Sequence, residues 1–314
     1  MSEQQIPEDA KIILVMGPTG AGKSTFINYA TKGTARGIGH ELRSYTSDIR
    51  VVRPSWRTSD CRPVYFVDTP GFNDTFKSDI EILALVAEFF LEAYHCKLKI
   101  DTILYLHRIT DNRMAGSPLK NLQLFASVCG NIAMPRVVLV TTMWRLVDPT
   151  VGTLREQELK ARFWNGMIWK GCAVERFDDS FESVQHIIMR FSRSASVSDT
   201  CQDGQGGGIL ISHQIADHNK MLKETEAGVT LKRDLEKSLK DAKDANKKLR
   251  RLSQKQNNPF LKKSLESEAE NSQRKIEEAA SEVEELDLSL RKRLMRWYNK
   301  PEKELVPQIG PGRR

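Results

Sequence analysis

Cysteine is sparse in this chain and carries no ligand spacing. The five present, Cys61, Cys96, Cys129, Cys172 and Cys201, are odd in number and form no C-x-x-C pair, which argues against a disulfide framework or a structural zinc site. They read as reduced thiols, and the protein as intracellular, with the cytoplasm as its expected location. Long hydrophobic runs are also missing. A membrane-spanning helix needs about 20 consecutive apolar residues, and the nearest approach, Ile80 to Tyr94, is interrupted at helical spacing by Glu81, Glu88 and Glu92. It reads instead as a core-facing helix, and no transmembrane segment is expected. The opening residues MSEQQIPEDAK lack the basic and apolar regions of a secretory leader. No strand combines aromatic and basic residues into a platform, so the formal net charge of +7 is not read as a nucleic-acid interface. Hydrophobic content of 39% and charged content of 28% describe a soluble protein with a polar appendage.

What is present is concentrated in two short segments. Gly17-Pro-Thr-Gly-Ala-Gly-Lys23-Ser24 matches G-x-x-x-x-G-K-[ST] at every fixed position, directly after the apolar run Ile12 to Met16 and before a helix-compatible stretch. Glycines let successive backbone N–H groups turn inward around phosphates, and the following helix adds its positive end. Lys23 then reaches the β and γ phosphates, and Ser24 ligates Mg²⁺. The expected nucleotide contacts are Gly17, Thr19, Gly20, Ala21, Gly22, Lys23, Ser24 and Thr25. The second segment is Val64-Tyr-Phe-Val67-Asp68-Thr69-Pro70-Gly71-Phe72. A β-branched and aromatic strand ending in Asp68 is where a P-loop protein keeps its second Mg²⁺ group. Gly71 offers a backbone N–H to a γ-phosphate and tolerates whatever φ the loop requires. A strand with a Pro-Gly turn is the plain alternative for this segment taken alone.

With Leu104-Tyr-Leu-His107-Arg108-Ile-Thr110-Asp111 and the run Val137 to Trp144, these segments resemble the septin-like, AIG1/GIMAP and Toc34 branch of GTPases. The resemblance is closest to the fungal proteins described as G-domain-containing or AIG1-type, and it covers roughly residues 10 to 195. It implies a Ras-like fold, binding of GTP, GDP and Mg²⁺, and nucleotide-dependent homodimerisation through the nucleotide face. Of the hydroxyls available to complete the Mg²⁺ shell, on Thr31, Thr34, Thr46 and Thr58, it selects Thr46. In AIG1-like relatives the segment resembling Leu106 to Thr110 gives an Arg to the partner's nucleotide site. Arg108 would there stabilise charge on the transferring phosphoryl group. A surface Arg paired with Asp111 is the alternative, and His107 serves equally well as a core histidine.

The chain departs from the family pattern twice. Where [NT]KxD is expected it reads Thr141-Thr142-Met143-Trp144. Thr141 and Thr142 are expected to line the nucleotide, but an indole at Trp144 cannot accept the paired hydrogen bonds of guanine. Guanine preference therefore rests on the resemblance, and ATP is not excluded. Asp148 lies four residues late, and Phe177 and Asp178 could border the base. Phe72 stands where Ras-like enzymes carry the water-orienting Gln, so slow hydrolysis is expected. Three classes of function follow: a dimerising GTPase switch, a nucleotide-binding scaffold with negligible turnover, and an ATP-using P-loop enzyme. The last is disfavoured, since no Arg-rich lid or second substrate site is evident.

Strands are predicted at 11–16, 49–53, 63–68, 101–106, 136–141 and 172–176, and helices at 23–31, 77–96, 118–129, 154–169 and 181–191. This alternation predicts a doubly wound α/β domain over 11–191, after an N-terminal tail of residues 1–10. Residues 192–212 read as a flexible linker, 213–300 as a coiled-coil tail that engages a protein partner, and 301–314 as a disordered end. From Lys232 to Lys263 there are 12 Lys or Arg against 4 Asp or Glu, and from Glu266 to Asp287 there are 2 against 9. Gln256-Asn257-Asn258-Pro259 breaks the helix between these blocks. Apolar residues recur at three and four, as Leu235, Leu239, Ala242, Ala245, Leu249 and Leu252, then Ile276, Ala279, Val283, Leu286, Leu290 and Leu294. This pattern predicts an antiparallel hairpin, although the same helices could pair between chains. Arg291-Lys-Arg293 with Trp297 and Tyr298 reads as a solvated helix end rather than an anionic-surface contact.

Overall fold

The computed structural model describes residues 6–7, 9–32, 49–57, 61–73, 77–96, 98–114, 116–194, 209–218, 220–256 and 258–298. It divides into two compact units, one running to Asn219 and the other from Lys220 to Asn299.

The first unit is built on β1 (Lys11–Met16), β2 (Arg50–Val52), β3 (Val64–Asp68), β4 (Ile100–Arg108), β5 (Val137–Thr142) and β6 (Ala173–Arg176). They form one sheet in the order β2-β3-β1-β4-β5-β6. All neighbours are parallel except the three-residue edge strand β2, which runs antiparallel to β3. Every residue of β1 and β5 is buried, as continuous apolar strands require when helices cover both faces. Alternate residues divide between those faces. Ile13, Val15, Leu104 and Leu106 pack with Phe26 and Ile27 of α1 (Lys23–Ala30) and Val184 and Ile187 of α6 (Phe181–Ser194). On the other face, Ile12 and Val67 meet Phe89 and Ala93 of α2 (Asp79–His95). Tyr105 there meets Phe125 of α3 (Ser117–Cys129), with ring centroids 4.5 Å apart. This is the doubly wound α/β architecture of P-loop proteins. Switching from β1 outward to β3 on one side and β4 on the other opens a crevice at the carboxyl ends of the strands.

Two segments differ from the sequence-based expectation. Instead of one helix over 154–169, α4 (Pro149–Glu158) leads into a π turn (Leu159–Phe163) and then α5 (Asn165–Trp169). Pro149 occupies the first turn, and Asp148 caps it by accepting hydrogen bonds from the N–H groups of Thr150 (2.9 Å) and Val151 (3.2 Å). Trp164, just past the π turn, is fully buried and meets His107 edge-on at 5.8 Å. Residues Leu210–Ala216, the first three of which were assigned to the linker, form α7. Its Ile211 and Ile215 are buried, and the helix lies beside α2 and α3. The first unit therefore extends to Asn219 rather than ending before residue 192.

The second unit consists of a short 3₁₀ turn (Leu222–Glu224) and two long helices, α8 (Glu226–Lys255) and α9 (Pro259–Tyr298). Asn246 Nδ2 donates to Gln273 Oε1 at 2.9 Å, and Ser253 Oγ donates to Glu266 Oε1 at 3.3 Å. Seven residues forward on α8 thus correspond to seven residues back on α9, the register of an antiparallel hairpin. The seam departs from the expected one in two places. Asn246 and Ser253 are buried, while Ala245 and Leu252 face solvent. The spacing Leu235, Leu239, Ala242, Asn246, Leu249, Ser253 keeps the four-three alternation that a continuous seam needs. Among the expected α9 seam residues, Ile276 is buried. The side chains of Ala279, Val283, Leu286, Leu290 and Leu294, and of Arg291 to Tyr298, lie outside those described. Among the described residues, no helix is long and apolar enough to cross a membrane.

Candidate nucleotide site

The sequence Gly17 to Ser24 leaves β1 and enters α1 at the carboxyl edge of the sheet. Its backbone must hug β4 to do so. Gly17 has φ +142°, and a Cβ placed there would lie 2.5 Å from the Leu106 carbonyl oxygen, so only glycine fits. Gly20 and Gly22 also have positive φ, and Gly22 caps α1 without a side chain in the way. Ser24 and Thr25, in the first turn of α1, are exposed, and the N–H groups of that turn have no intrahelical acceptors.

Lys23 is folded over the loop it follows. Its Nζ donates to the carbonyl oxygens of Gly17 and Pro18, each at 3.1 Å, and only 8% of the residue is exposed. The loop after β3 closes against the same atoms. Thr19 N–H donates to the Phe72 carbonyl at 3.0 Å, and Thr19 Oγ1 donates to the Gly71 carbonyl at 3.2 Å. A Cβ on Gly71 would lie 2.5 Å from Thr19 N and 2.7 Å from Lys23 Nζ. Gly71 is thus glycine because it approaches the lysine and the phosphate loop together. The Phe72 side chain is buried.

Asp68 ends β3 beside Ser24, with Oδ2 3.5 Å from Ser24 Oγ. Its Oδ1 is buried and accepts no hydrogen bond. Burial pushes its pKa above the usual carboxylate value, against the lowering effects of Lys23, Arg50 and the Ser24 hydroxyl. A buried, unsatisfied carboxylate oxygen next to a hydroxyl is costly unless something else satisfies it. Two adjacent hard oxygens suit Mg²⁺, which prefers a few protein oxygens together with phosphates and water. Ser24 and Asp68 therefore fit the ion. Thr46, the expected third oxygen, lies outside the described residues.

The hydroxyls of Thr141 and Thr142, the expected nucleotide contacts on β5, have partners within the protein. Both are buried. Thr142 Oγ1 donates to the Ala21 carbonyl at 2.9 Å, with the His107 carbonyl 3.3 Å away, and so braces the phosphate loop from β5. Thr141 Oγ1 lies 3.4 Å from Glu156 Oε1 and receives a 3.0 Å hydrogen bond from Trp144 Nε1. Trp144 is turned back onto its own strand and covered by the Arg176 guanidinium, 4.0 Å from its ring. Arg176 in turn grips Glu156 through Nε (3.0 Å) and Nη2 (2.7 Å), and Lys160 binds the same carboxylate at 3.1 Å. Burial opposes ionisation of Glu156, but these hydrogen bonds and charges outweigh it and hold its pKa below the usual value. Sequence pattern alone gave no signal for this Trp144–Arg176–Glu156 wall, because its members come from three elements.

Five further residues singled out in the sequence have these places in the structure. Asp148 caps α4 through its side chain, and Phe177 is a core residue packed on Phe26 at 5.1 Å. Asp178 accepts from Ser180 Oγ at the start of α6. His107 is 2% exposed, and burial lowers its pKa to about 4, so the ring is neutral. Arg108 pairs with Asp111, its Nε 3.1 Å from Oδ1. Its Nη1 also lies 3.4 Å from the position of a Cβ on Gly20, which puts the cation beside the phosphate loop of its own chain.

Residues 12–140 match the model of a family described as 50S ribosome-binding GTPase, so this stretch carries the pattern of a GTPase domain. No curated protein matches the chain significantly. Among solved structures, Toc33 from Arabidopsis thaliana in complex with Mg²⁺ and GMPPNP is 20% identical over 60% of this chain and 86% of its own, with a TM-score of 0.44. The same protein with GDP and Mg²⁺ is 19% identical over 64% and 88%, with a TM-score of 0.44. A nucleolar GTP-binding protein 1 from Plasmodium falciparum is 13% identical over 68% and 98%, with a TM-score of 0.40.

Proposed function

We propose that the chain is a guanine nucleotide-binding protein of the AIG1/Toc34-like type, with the fungal AIG1-type proteins as its nearest group. It is a slow GTPase that binds Mg²⁺·GTP at residues 17–24 and acts as a dimerising switch or scaffold inside the cell. The observation that carries this reading is the meeting of Lys23 Nζ, the Gly71 backbone and the Ser24–Asp68 oxygen pair around one loop. Lys23 neutralises the terminal phosphates, the backbone of Thr19 to Ser24 wraps them, and Ser24 and Asp68 hold the Mg²⁺ that screens their charge. No carboxylate stands at the guanine-reading position, so the site discriminates bases weakly. GTP is expected to bind more tightly than ATP, but by far less than the roughly 10⁴-fold of a site built around a paired hydrogen-bond partner. Parallel titrations with fluorescent GTP and ATP analogues measure this margin. Equal affinities would reduce the GTPase reading to a statement about fold, and tighter ATP binding would overturn it.

Slow intrinsic turnover follows from the buried Phe72 side chain, which leaves no group in its place to hold an attacking water. Arg108 is the available cation for the transition state, freed from Asp111 when two nucleotide faces meet. Phosphate release per molecule is expected to rise with protein concentration, and Arg108→Ala to flatten that rise while nucleotide affinity stays within about twofold, an effect that can reach 10³-fold for a functional arginine finger. A wild-type rate independent of concentration would remove dimerisation from the mechanism. A concentration-independent loss in the variant would instead place Arg108 on the nucleotide of its own chain. The helical hairpin is the element through which nucleotide state would reach a protein partner or assembly.

A further inference from the structure

The tip of the α8–α9 hairpin combines two features that a solvated helix end does not need. The antiparallel register set by Ser253 and Glu266 brings the last turns of α8 and the first turn of α9 to one end. Between residues 247 and 263 there are seven Lys or Arg and no Asp or Glu. On α8 this stretch spans about 12 Å of helix, from Lys247 to Lys255. Its basic residues are exposed, and among the described residues none of them forms an ion pair with a carboxylate. Acidic residues resume on α9 only at Glu266, Glu268 and Glu270, which leaves the outermost turn purely cationic. At the same end, Phe260 is 82% exposed and Leu252 and Leu261 are each 48% exposed. Asn258 fixes the turn: its Oδ1 accepts from the N–H groups of Phe260 (3.0 Å) and Leu261 (3.4 Å). The apolar side chains are thus presented by a capped helix start.

We propose that this tip docks on an anionic lipid bilayer, with Phe260, Leu252 and Leu261 entering the interfacial layer and Lys255, Lys262 and Lys263 reaching the headgroups. Cations ringing a few exposed apolar side chains match the two-part chemistry of a membrane surface, negative headgroups over an apolar interior. A nucleic-acid backbone would satisfy the lysines but leave the phenylalanine and leucines in water. Docking by this route needs no spanning helix, and it is independent of the nucleotide site.

The test is co-sedimentation of the full chain with phosphatidylcholine–phosphatidylserine vesicles and with pure phosphatidylcholine vesicles. Binding is expected to the anionic vesicles only and to weaken with added salt. Lys262→Glu with Lys263→Glu should lower the affinity about 25-fold or more, at about fivefold per cation. Phe260→Ser should lower it about tenfold or more. All three changes are at exposed positions, and helical circular dichroism should match the wild type. Absence of binding to anionic vesicles overturns the proposal, as does binding that both variants retain. Salt-sensitive binding to a single-stranded RNA oligonucleotide that is lost in Lys262→Glu/Lys263→Glu, with no vesicle binding, would reassign the tip to nucleic acid. Loss of self-association in Phe260→Ser, with vesicle binding unchanged, would reassign it to a second copy of the chain.

Discussion

Lys23→Ala is expected to weaken nucleotide binding about 100-fold or more while the protein stays folded. Lys23 Nζ is held over the phosphate loop by the Gly17 and Pro18 carbonyls, so little side-chain entropy remains to be lost when phosphate arrives. Hydrogen bonds to charged groups contribute about 1.5–3 kcal/mol each. Two such contacts to phosphate therefore account for at least about two decades of affinity. The Lys23 side chain is not a member of the apolar core to which Phe26 and Ile27, on the same face of α1, belong. Titration with a fluorescent GTP analogue, beside thermal unfolding, gives both readouts. Wild-type affinity in the variant would remove the phosphate loop from the proposed site. A fall in Tm of several degrees with the loss of binding would show that the lysine acts through the fold.

Gly17→Ala is expected to be the most damaging change to the first unit. Alanine at φ +142° is strained in its own backbone, and its Cβ would sit 2.5 Å from the Leu106 carbonyl oxygen and 3.3 Å from the Leu106 nitrogen. Neither atom can move without disturbing β4, the strand between β1 and β5. Backbone strain and overpacking together suggest a loss of about 3 kcal/mol or more. Nucleotide binding should disappear with it, since any relief of the clash lifts the loop off the sheet. Unfolding by denaturant, followed by tryptophan fluorescence, measures the loss in the first unit. Trp56, Trp144, Trp164 and Trp169 report on the first unit, and Trp297, in α9, is the one tryptophan of the second, so its contribution is removed by a Trp297→Phe background. A variant with wild-type stability and binding would mean that the phosphate loop does not lie against β4.

The parts of the fold that were legible in the sequence are those fixed by local pattern. Continuous apolar runs gave the buried strands, and β1, β3 and β5 fall within a residue of their expected ends. The break at Pro259 and the two long helices around it were readable for the same reason, since each is set by residues close in sequence. Features set by distant partners were not readable. α7 has only seven residues, and its burial depends on α2 and α3; nothing in Leu210–Ala216 alone distinguishes it from linker. The hairpin seam was expected to follow the apolar residues, yet Asn246 and Ser253 take the buried positions because each finds a hydrogen-bond partner on α9. A buried Asn with a matched partner penalises slipped registers, in which it would be left unsatisfied.

The site divides along the same line. Gly17, Lys23, Ser24, Asp68 and Gly71 are placed by motif, and the structure brings them together around one loop. Thr141 and Thr142 were placed by motif position alone, and their hydroxyl partners were not readable from it. The hydroxyl of Thr142 is spent on the Ala21 carbonyl and that of Thr141 on the buried Glu156 wall. Trp144 was recognised as unable to replace a carboxylate, but its partner Arg176 lies on the neighbouring strand and could not be paired with it from spacing. The Trp144–Arg176–Glu156 wall is therefore where the sequence was least informative.

The measurement that bears most directly on the proposed site is the affinity of the wild-type chain for a GTP analogue, determined once with Mg²⁺ and once with EDTA. Saturable binding that is tighter with Mg²⁺, with the difference between the two conditions lost in Asp68→Asn, is the expected result. Binding that is absent in both conditions, or identical with and without the ion, would contradict a Mg²⁺·nucleotide site at Lys23, Ser24 and Asp68.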